Sequence, residues 1–134
     1  MLQGVIQALI NDSKVVAAVG NGKQGKVKIY PVLADELDDT PFSVLTITSN
    51  QPNQCRESVS VMDLVSFDVN TYSKDYPQLD NIDNLIRFCL DGLKGPFTGI
   101  DLDISFQGQR DGFDTNQYYV RISSYQAFVT RRVG

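Results

Sequence analysis

Four groups of residues have the types and spacing that chemistry uses. Gly20-Asn21-Gly22-Lys23-Gln24-Gly25 matches the dinucleotide pattern G-x-G-x-x-G. With Lys26 it approaches a P-loop, except that Val27 stands where Ser or Thr would hold magnesium. Asp101 and Asp103 lie two apart, which on a strand puts both carboxylates on one face, half of a metal or acid–base site. Asp35, Glu36, Asp38 and Asp39 form an acidic cluster, and Cys55 and Cys89 are the two thiols.

Context weakens each of them. A phosphate loop follows a strand and opens a helix, because the helix N-terminus holds the phosphate. Here the glycines close a helical pattern and precede a strand, so the segment reads as a helix C-cap and a turn. A calcium-loop register from Asp101 fails, with Phe106 where Gly is needed and Gly112 where Glu should be. Asp101 and Asp103 therefore read as the solvated face of a half-buried strand. Asp111-Gly112 and Asp114 suit a turn, and the cluster at 35–39 suits a solvated loop. The cysteines fit no C-x-x-C spacing. Cys89 falls in an apolar helical pattern and reads as buried, Cys55 as exposed, and no disulfide between them is expected. The sequence contains no histidine, which excludes Ser-His-Asp and Cys-His nucleophiles and every imidazole metal site. No residue is expected to be catalytic, cofactor-binding or metal-ligating, and the chain is not expected to be an enzyme.

The elements that would position these residues follow from periodicity. Leu2, Val5, Ile6 and Leu9 predict a short amphipathic helix over 2–11. Asp12 or Ser13 caps a second helix through Val19, stopped by Gly20. A strand is expected over Val27–Tyr30, ended by Pro31, and others over Phe42–Thr48 and 58–72. With a polar linker at 49–57, these last two read as a long hairpin protruding from the body. Leu79, Ile82, Leu85, Ile86, Cys89, Leu90 and Leu93 form one apolar stripe, with Asp80, Asp83, Asn84, Arg87 and Asp91 elsewhere. Ser73 or Asp75 caps this main helix, and Gly92, Gly95 and Pro96 end it. Ile100 to Phe106 alternates as a strand, residues 107–116 read as a polar turn, and Gln117–Thr130 as the last strand. The fold class is α+β: one domain over 1–134, with a single antiparallel sheet, a long protruding hairpin, short N-terminal helices and one main helix packed on the sheet.

Charge is segregated along the chain. Residues 1–34 carry four Lys against one Asp, residues 35–114 fifteen acids against five bases, and residues 115–134 three Arg and no acid. A chain of net charge −4 thus has basic ends around an acidic middle, a poor footprint for general nucleic-acid binding but one that suits head-to-tail pairing of copies. The start MLQGVIQALINDSK lacks the basic region of a signal peptide, and no stretch is long enough for a membrane span. A soluble, cytosolic chain is expected.

The order of features resembles the tail-completion proteins of tailed phages and prophages, also called tail terminator or head–tail joining proteins. The landmarks are the short helix pair, Lys28-Ile29-Tyr30-Pro31, Pro41-Phe42-Ser43-Val44-Leu45, and the strand Val59–Tyr72 leading to a helix that ends Leu90-Asp91-Gly92-Leu93. They continue with Phe106-x-Gly108 and Asp111-Gly112-Phe113-Asp114, read as a turn, before an aromatic-rich strand; together they span roughly 2–130. The resemblance implies a structural virion protein without cofactor, typically a hexameric ring that caps the tail and contacts tail-tube and head-connector proteins. It implies assembly in the bacterial cytoplasm, a place in the virion tail, and DNA passing through the ring without specific binding. A long hairpin with few apolar residues at its tip wants a neighbour, so residues 49–58 and the 107–116 turn are expected to contact adjacent subunits or the next ring. The alternatives are a small cytosolic enzyme using Asp101 and Asp103 with a divalent metal, and a monomeric adaptor.

Overall fold

The computed structural model describes residues 2–20, 27–31, 41–54, 60–97, 100–113 and 118–132. Three helices lie among them: α1 (Leu2–Ile10), α2 (Ser13–Val19) and α3 (Tyr76–Leu90). Local chemistry marks the ends of α2 and α3. Asp12 caps α2 by accepting hydrogen bonds from the backbone N–H groups of Lys14 (3.0 Å) and Val15 (3.3 Å). Gly20 closes it at φ +81°, a conformation that other residues adopt only at a cost. At α3, Asp75 occupies the N-cap without a side-chain bond; Ser73 Oγ holds the entry instead, accepting from Asp75 N at 3.1 Å. Gly92 at φ +79° turns the chain after Asp91. Leu93, counted in the helical stripe from its spacing, lies beyond the helix and bonds back to Leu90.

Six strands among the described residues form one sheet: β1 (Ile29–Pro31), β2 (Phe42–Gln54), β3 (Ser60–Ser73), β4 (Lys94–Phe97), β5 (Ile100–Phe113) and β6 (Tyr119–Arg132). Their order is β1-β2-β3-β6-β5-β4. All neighbours are antiparallel except β1, which runs parallel to β2 through Ile29–Ser43, Tyr30–Val44 and Pro31–Leu45. The sheet is therefore mixed rather than purely antiparallel.

The helices cover one face. Along β3 and β6, every second residue is buried: Val65, Phe67 and Val69, then Tyr125, Ala127 and Val129. Ile82, Ile86 and Leu90 of α3, with Val5 and Leu9 of α1, close the core over them. Phe67 and Tyr125 stack at its centre with ring centroids 5.4 Å apart. The opposite face carries half-buried Ser66, Asp68, Asn70, Ser124 and Gln126.

Two stretches expected as linker and turn are strand. Residues 49–54 continue β2, with partners from Ser49–Ser66 to Gln54–Val61. Residues 107–113 continue β5, with partners from Gly108–Ser124 to Phe113–Tyr119. In each case the register shifts at the break, between Ile47 and Ser49 and between Phe106 and Gly108. One extra residue, Thr48 or Gln107, interrupts the ladder, and the stretches that follow, SNQPNQ and GQRDG, carry no alternation of apolar and polar residues to mark them as strand. β3 is paired with β6 along its whole length, from Ser60–Arg132 to Ser73–Tyr119, so this part of the hairpin lies within the sheet instead of forming a separate arm. β4, expected only as a helix stop, is a short edge strand against residues 100–103.

Candidate functional site

The densest polar constellation joins the start of α3 to the β5–β6 hairpin. Arg121 is 3% exposed and Asp83 is fully buried. Arg121 belongs to the core-facing phase of β6, so its guanidinium points beneath α3. There its Nε donates to Asp111 Oδ1 at 2.7 Å, and its Nη2 to Tyr76 Oη at 2.9 Å. Its Nη1 donates to Asp80 Oδ1 and lies 3.7 Å from Asp83 Oδ2. Tyr76 Oη donates to Asp111 Oδ2 at 2.7 Å, and Ser123 Oγ donates to Asp83 Oδ1 at 2.6 Å. Spacing sets Asp83 off the apolar stripe, but it shares the buried face with Leu79, Ile82 and Ile86.

Electrostatics divide these groups. The hydrogen bond from Arg121, followed by that from Tyr76, holds Asp111 below the usual carboxylate range. The Arg121 guanidinium is held charged, chiefly by Asp111. Burial pushes Asp83 above the usual range, opposed by Ser123 and Arg121. The bond to Asp111 raises the Tyr76 phenol, and burial raises Tyr125. A carboxylate with a raised pKa is a candidate general base. Asp83, however, has no exposed surface from which to meet a substrate. The constellation is a clasp that fixes α3 on the sheet.

Beside the clasp, Tyr119 meets Tyr76 and Phe113 edge to face, with centroids 5.6 and 5.4 Å apart. All three are exposed, Phe113 by 64%. Farther along α3, Asn84, Arg87, Phe88 and Asp91 line an open groove of about 410 Å³. Its charges are engaged: Arg87 stacks 3.8 Å above the Phe106 ring, and Asp91 Oδ1 accepts from Phe106 N at 3.0 Å. Phe88 is 87% exposed.

Among the described residues, those singled out by sequence do not converge. Asp103 is exposed on β5, opposite Lys94 and Phe128; Asp101 is paired with Pro96 and Thr130, and its side chain is outside the described set. Among the described residues, no group of three or more His, Cys, Asp or Glu is placed to hold a metal ion. The glycine loop survives only as the Gly20 cap, residues 21–26 lying outside the described residues, as do 35–39, Cys55 and Asp114. Asp111, assigned to turn chemistry, is the Arg121 partner. Cys89 is half-buried, donates to Ala8 O at 3.8 Å, and is pushed up to about 11 by burial. Among the described residues, no helix is long and apolar enough to cross a membrane.

No known family and no curated protein matches the sequence. The fold does match solved structures. One is a chain in the structure titled "Virion of native gene transfer agent (GTA) particle", with a TM-score of 0.75 and 11% identity, covering 97% of this chain and 94% of that one. What the two share is the fold. It spans nearly the whole of both chains, so helices, sheet order and hairpins belong to one architecture.

Proposed function

We propose that this chain is a structural protein of a phage-like particle. In this reading it is a tail-completion or head–tail joining subunit that assembles into a ring at the head-proximal end of the tail. The observation that carries the reading is the fold held in common, end to end, with a chain from a gene transfer agent virion. The clasp supports it, because its hydrogen bonds run among its own groups. So do the exposed Phe88, Phe113 and Phe128, large apolar side chains of the kind that neighbouring subunits cover. The partners are other copies of the chain, tail-tube proteins and head-connector proteins. The acidic middle of the sequence gives a ring through which DNA slides without sticking.

Deleting the gene from a particle-producing host tests this reading by electron microscopy. Filled heads and unjoined or unterminated tails are the expected result. Normal numbers of complete, infectious or transducing particles would overturn it.

A further inference from the structure

The outer face of α3 is complementary to itself. Asn84, Arg87, Phe88 and Asp91 line its open groove, and all four are exposed. Phe88 is the most exposed of the large apolar side chains among the described residues. Arg87 lays its guanidinium on the Phe106 ring, 3.8 Å from the centroid. Asp91 gives only Oδ1 to the Phe106 N–H. Among the described residues, neither the Arg87 side-chain donors nor Asp91 Oδ2 has a hydrogen-bond partner. Between positions 87 and 91 the helix therefore offers solvent a cation, a bare aromatic ring and a carboxylate. Successive turns bring all three to one side of it.

We propose that the same groove of a second copy covers this one, with the two α3 helices antiparallel about a two-fold axis. In such a pair, positions whose numbers share one sum lie at the same height. Centring the axis level with Cys89 sets Arg87 of each copy beside Asp91 of the other, giving two reciprocal ion pairs. Phe88 and its copy then lie two positions apart, about 3 Å along the helix axis, an offset that suits stacked rings. The direction matters. A parallel two-fold would set Arg87 against Arg87 and Asp91 against Asp91, and like charges across an interface repel. Four groove residues a side are fewer than the roughly 20–30 of a standard interface, so the pairing is expected to depend on concentration. An isologous contact closes at two copies. It uses a helix face, goes beyond the ring reading, and would join chain to chain or ring to ring alike.

Charge reversal tests it. Arg87→Glu and Asp91→Lys chains are prepared separately, and light scattering reads mass against concentration for each and for their mixture. Each variant alone meets like charges across the two-fold and is expected to lose the pairing, with its folded spectrum unchanged. Mixed in equal amounts, the two altered faces are complementary, and the doubling of mass seen for the native chain is expected to return. Phe88→Ala is expected to raise the concentration for half-pairing about tenfold. A mixture no heavier than its separate components would overturn the reciprocal pairs and with them the two-fold. A native mass left unchanged by all three variants would give the groove to a different protein and leave the ring reading standing. A native chain that stays single at every concentration would overturn both.

Discussion

Arg121 and Asp111 face one another across β6 and β5, and Arg121 Nε lies 2.7 Å from Asp111 Oδ1. Because Arg121 is also held against Asp80 and Asp83 of α3, this pair ties a hairpin to a helix about forty residues away in sequence.

Removing the cation leaves Asp83 buried beside nothing of opposite charge. Arg121→Met is expected to cost about 3–5 kcal/mol. Asp80→Asn touches a carboxylate whose side chain is 52% exposed and is expected to cost less than about 1 kcal/mol. Urea unfolding of the two variants measures the difference.

The two acids of the clasp respond oppositely to pH. Asp111, held low, contributes stability that is complete above the unfolded value near about 3.9 and lost as pH falls through its folded value. Asp83, held high, contributes stability that is complete below about 3.9 and lost as pH rises through its folded value. Asp83→Asn is therefore expected to make the change in melting temperature from about pH 4 to about pH 7 more favourable than in the wild type. Asp111→Asn is expected to flatten the loss below about pH 4. Thermal melts across pH read both.

Much of the fold is legible because apolar spacing reports burial directly, as with Ile82, Ile86 and Leu90 on α3 or Val65, Phe67 and Val69 on β3. The clasp is not, because only the strand order brings Asp80, Asp83, Asp111 and Arg121 together. One local signal existed: Arg121 occupies the same alternating phase as Tyr125, Ala127 and Val129, and a charge at a core-facing position demands a buried partner. β4 was hidden for another reason. Its four residues, KGPF, include Gly and Pro, and only pairing with residues 100–103 makes them a strand.

Gly92 and Gly108 separate conformation from space. A Cβ added at either would meet nothing within 4 Å, but only Gly92 has a positive φ, +79°. Gly92→Ala is expected to cost about 1–2 kcal/mol through the backbone alone. Gly108→Ala is expected to stay within about 1 kcal/mol of the wild type. Melting both variants checks this.

Cys89, with its thiol pushed up to about 11, should be nearly inert at neutral pH. In a Cys55→Ser chain, its reaction with an aromatic disulfide reagent is expected to be roughly 100-fold slower when folded than when unfolded. Equal rates would show that burial does not protect it.

If Asp101 and Asp103 served a divalent metal, magnesium, calcium or manganese at 100 times the dissociation constant would stabilise the fold by about 2.7 kcal/mol. The structural reading expects no change in melting temperature on titration with any of the three.

The most direct test of the central claim is the mass of the purified native chain by light scattering as concentration rises. A structural ring component predicts a plateau at a fixed integer multiple of the 14.9 kDa chain, with no growth beyond it. A mass that stays at that of one chain at every concentration would contradict the account.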